Sequence, residues 1–348
     1  MPRLTRGATP APKIDALSPR ATLPGGDIRI HGERLLTTDE ELPVLTCGGT
    51  ATHLISGGAQ YLLVRVPEGA VSGELELNPG TPRAMSGPYL EVAGQIAEEM
   101  HPIGNPAIDQ NGMIYTTFSG SRGQTVPVSL YRLDTGFCTI PLGNAIVNPS
   151  GLALDKKNQL YASSRYNGTV YQVDEEGRAE VFAEGLGLAT GLAFDPAGNL
   201  YVGDRSGTIF KIDRQRRIFV FATLEPSVAA YHLAFNPEGD LYVSGPTTTS
   251  SDAIYRIRPQ GEVEVFFQGL GRPQGLAFDL HGHLLIAAAW RGRRGILRIS
   301  PEREVEWAVS GSGLVGLAFA HGPALILATH GGLFHLPWDT PGWLTFRS

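Results

Sequence analysis

One stretch, Gly191-Leu192-Ala193-Phe194-Asp195-Pro196-Ala197-Gly198-Asn199-Leu200-Tyr201-Val202, constrains this chain more than any other because it recurs in altered form. The copies begin at Asn105 (NPAIDQNGMIY), Gly151 (GLALDKKNQLY), Gly191, His232 (HLAFNPEGDLY), Gly275 (GLAFDLHGHLL) and Gly316 (GLAFAHGPALI). Their spacings are 46, 40, 41, 43 and 41 residues. A regular period of about forty residues is what a propeller or other repeat array leaves in sequence.

Each copy has the same internal order. A short apolar run, Leu192 to Phe194, meets an Asp-Pro-x-Gly turn, and a second run, Leu200 to Gly203, follows, which is a hairpin signal. Thr208 to Ile212 and Ile218 to Ala222 then supply third and fourth strands. Four strands make one blade, and radial repetition of blades leaves only short sheet edges. Six copies predict an all-β chain carrying a six-bladed β-propeller.

The composition agrees. With 44 Gly and 25 Pro in 348 residues, turns are frequent and long helices have little room. Of the residues, 42% are hydrophobic and 18% charged, enough for packed cores in a chain of about two domains. The net charge of −6 gives no overall basic character, which disfavours nucleic acid as partner. The first six residues carry two arginines but no apolar run follows, and no later stretch reaches the roughly 18 apolar residues of a span. The expectation is a cytoplasmic protein with no membrane partner. The only cysteines, Cys47 and Cys138, fall in different domains of this scheme and are expected as free thiols.

Ahead of the repeats, residues 1–11 read as a disordered Pro/Ala/Thr-rich tail. Residues 12–93 read as short alternating strands between Gly and Pro turns, the pattern of an immunoglobulin-like β-sandwich. Several spaced elements resemble an IPT/TIG domain: Ile14 to Pro19, the Pro24-Gly25-Gly26 turn, Ile28-Arg29-Ile30 ending at Gly32, and Val66-Pro67-Glu68-Gly69 followed by Gly73. The resemblance implies a spacer or a dimerisation module; the few basic residues argue against a DNA contact. From residue 94 to 348 the chain is assigned to the propeller. Gln95 to Met100 occupies the place of a fourth strand before the first repeat, and the last repeat shows only three strands. The strand at 95–100 is therefore expected to complete the sixth blade and close the ring by pairing the two ends of the chain. Trp343 to Phe346 is expected to add a rim strand or to pack on the first domain.

The repeat wording over residues 95–336 resembles NHL repeats and the SMP-30/gluconolactonase/LRE family of six-bladed propellers. That resemblance implies, for the second group, lactone hydrolysis with a divalent cation held in the channel by a Glu, two Asn and an Asp just before the inner strands. A hard cation needs such oxygen donors, with carboxylates supplying charge. Here the residues before the repeat starts are Gly104, Ser150, Thr190, Tyr231, Gln274 and Val315, and none is acidic. Shifting the window adds Asn105, His232 and Asn148. The expectation is no cofactor, with Ca2+ or another divalent cation on Asn105, Asn148 and Gln274 as the alternative.

The remaining candidates gather on the face where second-to-third and fourth-to-first connections emerge. Arg165 and Arg205 each stand five residues after the Leu of their own Leu-Tyr pair, at equivalent positions of neighbouring blades. Arg122, Arg272, Arg291, Arg293 and Arg294 are placed in other loops of that side, as are Trp290 and Tyr166. Arginine suits carboxylate and phosphate recognition; the plainer reading has these residues paired with Asp204, Glu184 or Glu225. His232, beside Tyr231 at the channel mouth, is a candidate ligand contact or general base. His281 and His283 read as a surface turn without a further metal ligand in register, and His330 and His335 as lacking partners. The sequence thus points to a non-catalytic binding or scaffold propeller that presents an arginine face to a small anionic ligand or an acidic protein surface. The alternatives are a lactone hydrolase with an altered metal site and RNA binding through the basic face.

Overall fold

The computed structural model describes residues 11–36, 42–81 and 84–343. The expected tail lies, apart from Ala11, outside the described residues, as do Leu344 to Phe346. Every regular element among the described residues is a β-strand, and no helix long and apolar enough to cross a membrane occurs there. The chain divides into two compact units, Met1–Gly94 with Trp307–Ser312, and Gln95–Glu306 with Gly313–Ser348.

The first unit is built from two sheets. One orders Lys13–Ser18, Asp27–Glu33, Tyr61–Arg65 and His53–Gly57; the other runs from Ala21–Thr22 through Met85–Val92, Gly73–Leu77 and Leu45–Cys47 to Thr50–Ala51. Alternate residues turn inward, as the period of a strand requires. Leu17, Ile28, Ile30, Leu62 and Val64 from one sheet meet Leu45, Cys47, Leu75, Leu77 and Leu90 from the other in a single core. This is a β-sandwich. Cys47 is buried in it as a free thiol, pushed up in pKa by that burial, and Cys138 is free and exposed.

The second unit is a β-propeller of four-stranded antiparallel meanders. In blades one to four the inner strands are Ala107–Ile108, Pro149–Leu154, Ala189–Phe194 and His232–Phe235, each followed outward by three more strands. Blade five starts at Leu276–Phe278 and continues through Leu284–Trp290 and Arg293–Ile299. Blade six comprises Leu314–Phe319, Ala324–Thr329 and Gly332–Pro337, and its fourth strand is Gly94–Glu98, hydrogen-bonded beside Gly332–Pro337. Each inner strand neighbours the next, and the sixth neighbours the first.

The repeated residues account for how blades are held apart and together. In the first turn, the Asp carboxylate accepts backbone N–H groups at the second and fourth residues beyond it, as Asp155 does from Lys157 and Gln159. Its other oxygen accepts the Tyr hydroxyl six residues on: Asp109 from Tyr115, Asp155 from Tyr161, Asp195 from Tyr201. The same Tyr ring is wedged edge-on between two phenylalanines. Tyr201 lies 4.9 Å from Phe221 of its own outer strand and 5.1 Å from Phe235 of the next blade's inner strand. Tyr161 repeats this with Phe182 and Phe194, and Tyr242 with Phe266 and Phe278. Such edge-to-face contacts add about 0.5–1.5 kcal/mol each beyond burial. The opening glycines have a steric reason: a Cβ on Gly151 would stand 2.3 Å from the Thr190 carbonyl oxygen, and one on Gly191 2.4 Å from that of Tyr231.

These contacts set an expected outcome. Tyr201→Phe, which removes only the hydroxyl bond to Asp195, is expected to lower stability by about 1 kcal/mol, and Tyr201→Ala by about 3–5 kcal/mol, as read by denaturant unfolding. Burial, with the nearby carboxylate, pushes Tyr115 and Tyr161 up to about 12 from an ordinary 10.0. The folded state therefore holds these protons after the unfolded chain has released them. The contribution is full below pH 10 and is lost as pH rises toward 12. Unfolding midpoints that stay flat across that range would contradict the wedge.

Candidate functional site

The six inner strands surround a central channel, and its two ends differ. At the end where the inner strands begin, the opening glycines draw neighbouring backbones together. A space of only about 30 Å³ remains there, lined by Gly104, Ser150, Gly191, Tyr231, His232 and their neighbours. At the end where the inner strands finish, the channel widens to about 480 Å³.

At the narrow end the expected ligands have other work. Asn105 donates from Nδ2 to the Leu276 carbonyl at 2.8 Å and accepts the Leu317 N–H at Oδ1, so its amide ties blade one to blades five and six. Asn148 is buried with positive φ; its Oδ1 accepts the Gly123 N–H at 2.6 Å while Nδ2 donates to the Gly120 and Ser121 carbonyls. It staples the loop at 119–123. Gln274 lends its main-chain carbonyl to the Ser244 hydroxyl and is half-buried. Thr190 bridges the Gly203 carbonyl and the Tyr231 N–H. The donor set for a divalent cation is thus corrected: both asparagine oxygens are taken by backbone N–H groups. Among the described residues no cluster of three or more His, Cys, Asp or Glu could hold a metal, and the residues present do not fit the cation that the family resemblance implies.

Tyr231 is buried, and its hydroxyl donates to the Glu225 carbonyl, so the phenol anchors a loop instead of facing a ligand. His232 is buried as well, 5% exposed, and its Nε2 has no partner. Burial pushes its pKa down to about 4. A neutral imidazole of that kind is a weak base near neutrality, which corrects its reading as a general base.

The arginines divide into distinct settings. Arg165 and Arg205 immediately follow the second strands of blades two and three, Leu160–Ser164 and Leu200–Asp204, as their equivalent sequence positions require. Arg165 is half-buried; its Nη2 donates to the Ser119 hydroxyl at 3.1 Å. Burial first, and the charge of Arg205 second, hold its pKa below the usual guanidinium range. Arg205 donates to the Val228 and Ser227 carbonyls. Neither is paired with Asp204, whose carboxylate instead accepts the Leu188 N–H and the Ser206 hydroxyl. Tyr166 lies exposed beside the stapled loop, its ring against Gly123. The other candidates stand apart from this pair. Arg272 has its N–H on Asp252 and Arg291 stacks on Trp290 at 4.2 Å; both are exposed and in positive φ. Arg293 and Arg294 belong to a strand, not to a loop.

Three further expectations are corrected. His283 does have a carboxylate in register: its Nδ1 lies 3.0 Å from Asp279 Oδ2, and Arg298 reaches the same oxygen. This replaces, in blade five, the Asp–Tyr pair of blades one to three. His330 offers its carbonyl to His101, and His335 packs against Phe137. Trp343, expected on a rim or on the first domain, instead lines the wide end of the channel, its main-chain N–H donating to the Phe278 carbonyl. That wide end was not foreseen. Its signal lay in the Leu-Ala-Phe triad: strand alternation sends Leu and Phe into the blade and the middle Ala toward the channel.

No family model matches the sequence, and no curated protein sequence matches it. Solved structures with a similar fold do. A putative gluconolactonase is 19% identical with a TM-score of 0.60, covering 73% of this chain and 94% of its own. An auxiliary nutrient binding protein from Bacteroides thetaiotaomicron is 12% identical with a TM-score of 0.56, covering 95% of this chain and 98% of its own. A gluconolactonase from Xanthomonas campestris is 14% identical with a TM-score of 0.56, over 71% and 89%. At these identities the likeness concerns fold, and the second of them spans both units.

The buried histidine yields a pH dependence. Its folded pKa of about 4 lies below the ordinary 6.5, so the unfolded chain takes the proton first. Stability is full above pH 6.5 and is lost as pH falls through about 4. Denaturant unfolding should show His232→Gln losing less stability over that acid range than the native chain, by on the order of 3 kcal/mol. Parallel losses in both would contradict the assignment.

Proposed function

We propose that the propeller is a non-catalytic binding module that takes a small anionic solute, carrying a carboxylate or phosphate, between Arg165 and Arg205. The observation that carries this reading is a pair of guanidinium groups within each other's field, one half-buried, neither in an ion pair with a carboxylate among the described residues. Holding two like charges together at the cost of desolvation is unfavourable unless something negative arrives. Ser119, with its hydroxyl on Arg165, and the ring of Tyr166 flank the place where it would sit. The neighbour called a nutrient binding protein accords with solute capture on this architecture.

The first unit is read as an IPT/TIG-type spacer, with self-association through it as a further expectation. Propeller blades of NHL or SMP-30 type supply the platform. Two neighbours bear the name gluconolactonase. A hydrolase reading would require a cation at the narrow end, and there the asparagine oxygens are engaged and no carboxylate is among the described residues that line it.

Calorimetric titration of the full chain with inorganic phosphate, sulfate and citrate at low ionic strength tests the proposal. The native protein is expected to bind at least one of them at one site. Arg165→Ala combined with Arg205→Ala should weaken that binding at least about tenfold, given about 1.5–3 kcal/mol for a charge-assisted hydrogen bond, while the thermal midpoint stays close to native. Equal affinity in the double variant, or no anion binding by the native chain, would overturn it. A titration with calcium and manganese that gave tight one-to-one binding would favour the hydrolase instead.

A further inference from the structure

We infer that the wide end of the channel is a second ligand site, for an uncharged small molecule with both apolar and polar parts. The cavity of about 480 Å³ is walled by the inner strands of all six blades. It falls within the roughly 300–1,000 Å³ typical of small-molecule sites. Its wall includes one alanine from each blade: Ala107, Ala153, Ala193, Ala234, Ala277 and Ala318. Six methyl groups of one size, spaced round a ring, leave a bore of mixed polar and apolar lining that a larger side chain in any blade would fill.

The polar groups at the mouth set the charge of the ligand. Neither lysine nor arginine lines the cavity, so nothing there compensates an anion. The one carboxylate, Asp155, has its Oδ1 engaged by the Lys157 and Gln159 N–H groups and its Oδ2 by the Tyr161 hydroxyl, which leaves little to hold a cation. His321 has Nε2 within 2.6 Å of the Asp109 carbonyl. What remains is neutral: the side-chain amide of Gln110, the Nδ2 group of Asn158, whose Oδ1 accepts the Gln110 N–H, and Trp343, whose indole N–H is buried without an acceptor. An apolar body in the bore with a neutral acceptor toward Trp343 and the two amides meets each of these groups. The site lies at the opposite end of the inner strands from the arginine pair and stands or falls independently of it.

The test is a fluorescence titration of the full chain with N-phenyl-1-naphthylamine, an uncharged probe that brightens in apolar surroundings. One saturable site is expected, with energy transfer to the probe on tryptophan excitation. Ala277→Phe, which fills the bore, should weaken binding at least about tenfold by steric exclusion. Because overpacking can also unfold a chain, Trp343→Phe provides a second readout. It should remove most of the energy transfer to the bound probe, although the other three tryptophans remain. No saturable binding by the folded native chain, unchanged affinity in a folded Ala277→Phe variant, or unchanged transfer in Trp343→Phe would each overturn the inference.

Discussion

The tyrosine wedged between successive blades is the contact on which the second unit depends. One side chain performs two tasks there: its ring fills the space between its own outer strand and the next blade, and its hydroxyl ends on the Asp of the first turn. The Asp in turn fixes the hairpin by accepting backbone N–H groups. A blade that lost the pair would lose its turn and its neighbour together. In blade five, where the Asp is kept and the tyrosine is replaced by Leu285, His283 and Arg298 satisfy the buried Asp279 by another route, and blade six lacks both, with Ala320 and Ile326 in their places. The requirement belongs to the carboxylate: buried with its turn, it must be paired.

Because the wedge is repeated, the inner strands are held at a fixed spacing and the channel acquires two unlike ends. Glycines allow the strands to converge where they begin, and the short alanines keep them from meeting where they finish. His232 and Asn105 replace glycine at two of the six starts, and both side chains are absorbed by the convergence. One is sealed in as a neutral ring, the other spent as a clasp across blades.

Much of this was written in the sequence because the repeat carries its own physics. The Asp, the Tyr and the Phe recur at fixed intervals, and each interval is a contact. Unit by unit, the all-β character and the four-strand order follow from alternation and turns. The functional side was less legible for an equally physical reason. Asn105 and Asn148 have the composition of ligands, but only the three-dimensional arrangement reveals that their amides are already engaged by backbone. Tyr231 has a polar tip that could have faced solvent or a carbonyl, and spacing does not distinguish these. Arg165 and Arg205 were legible as equivalent positions, whereas the absence of a carboxylate opposite them among the described residues was not. The alanine bore escaped notice because an alanine signals nothing by itself; only six of them facing one axis make a cavity.

The arginine pair is the central functional claim, and locating a bound anion tests it most directly. Crystals soaked in selenate, a tetrahedral dianion with a strong anomalous signal, should show a peak in contact with both Arg165 and Arg205. Anomalous density elsewhere on the surface, with these two guanidinium groups ordered and no peak between them, would contradict the account.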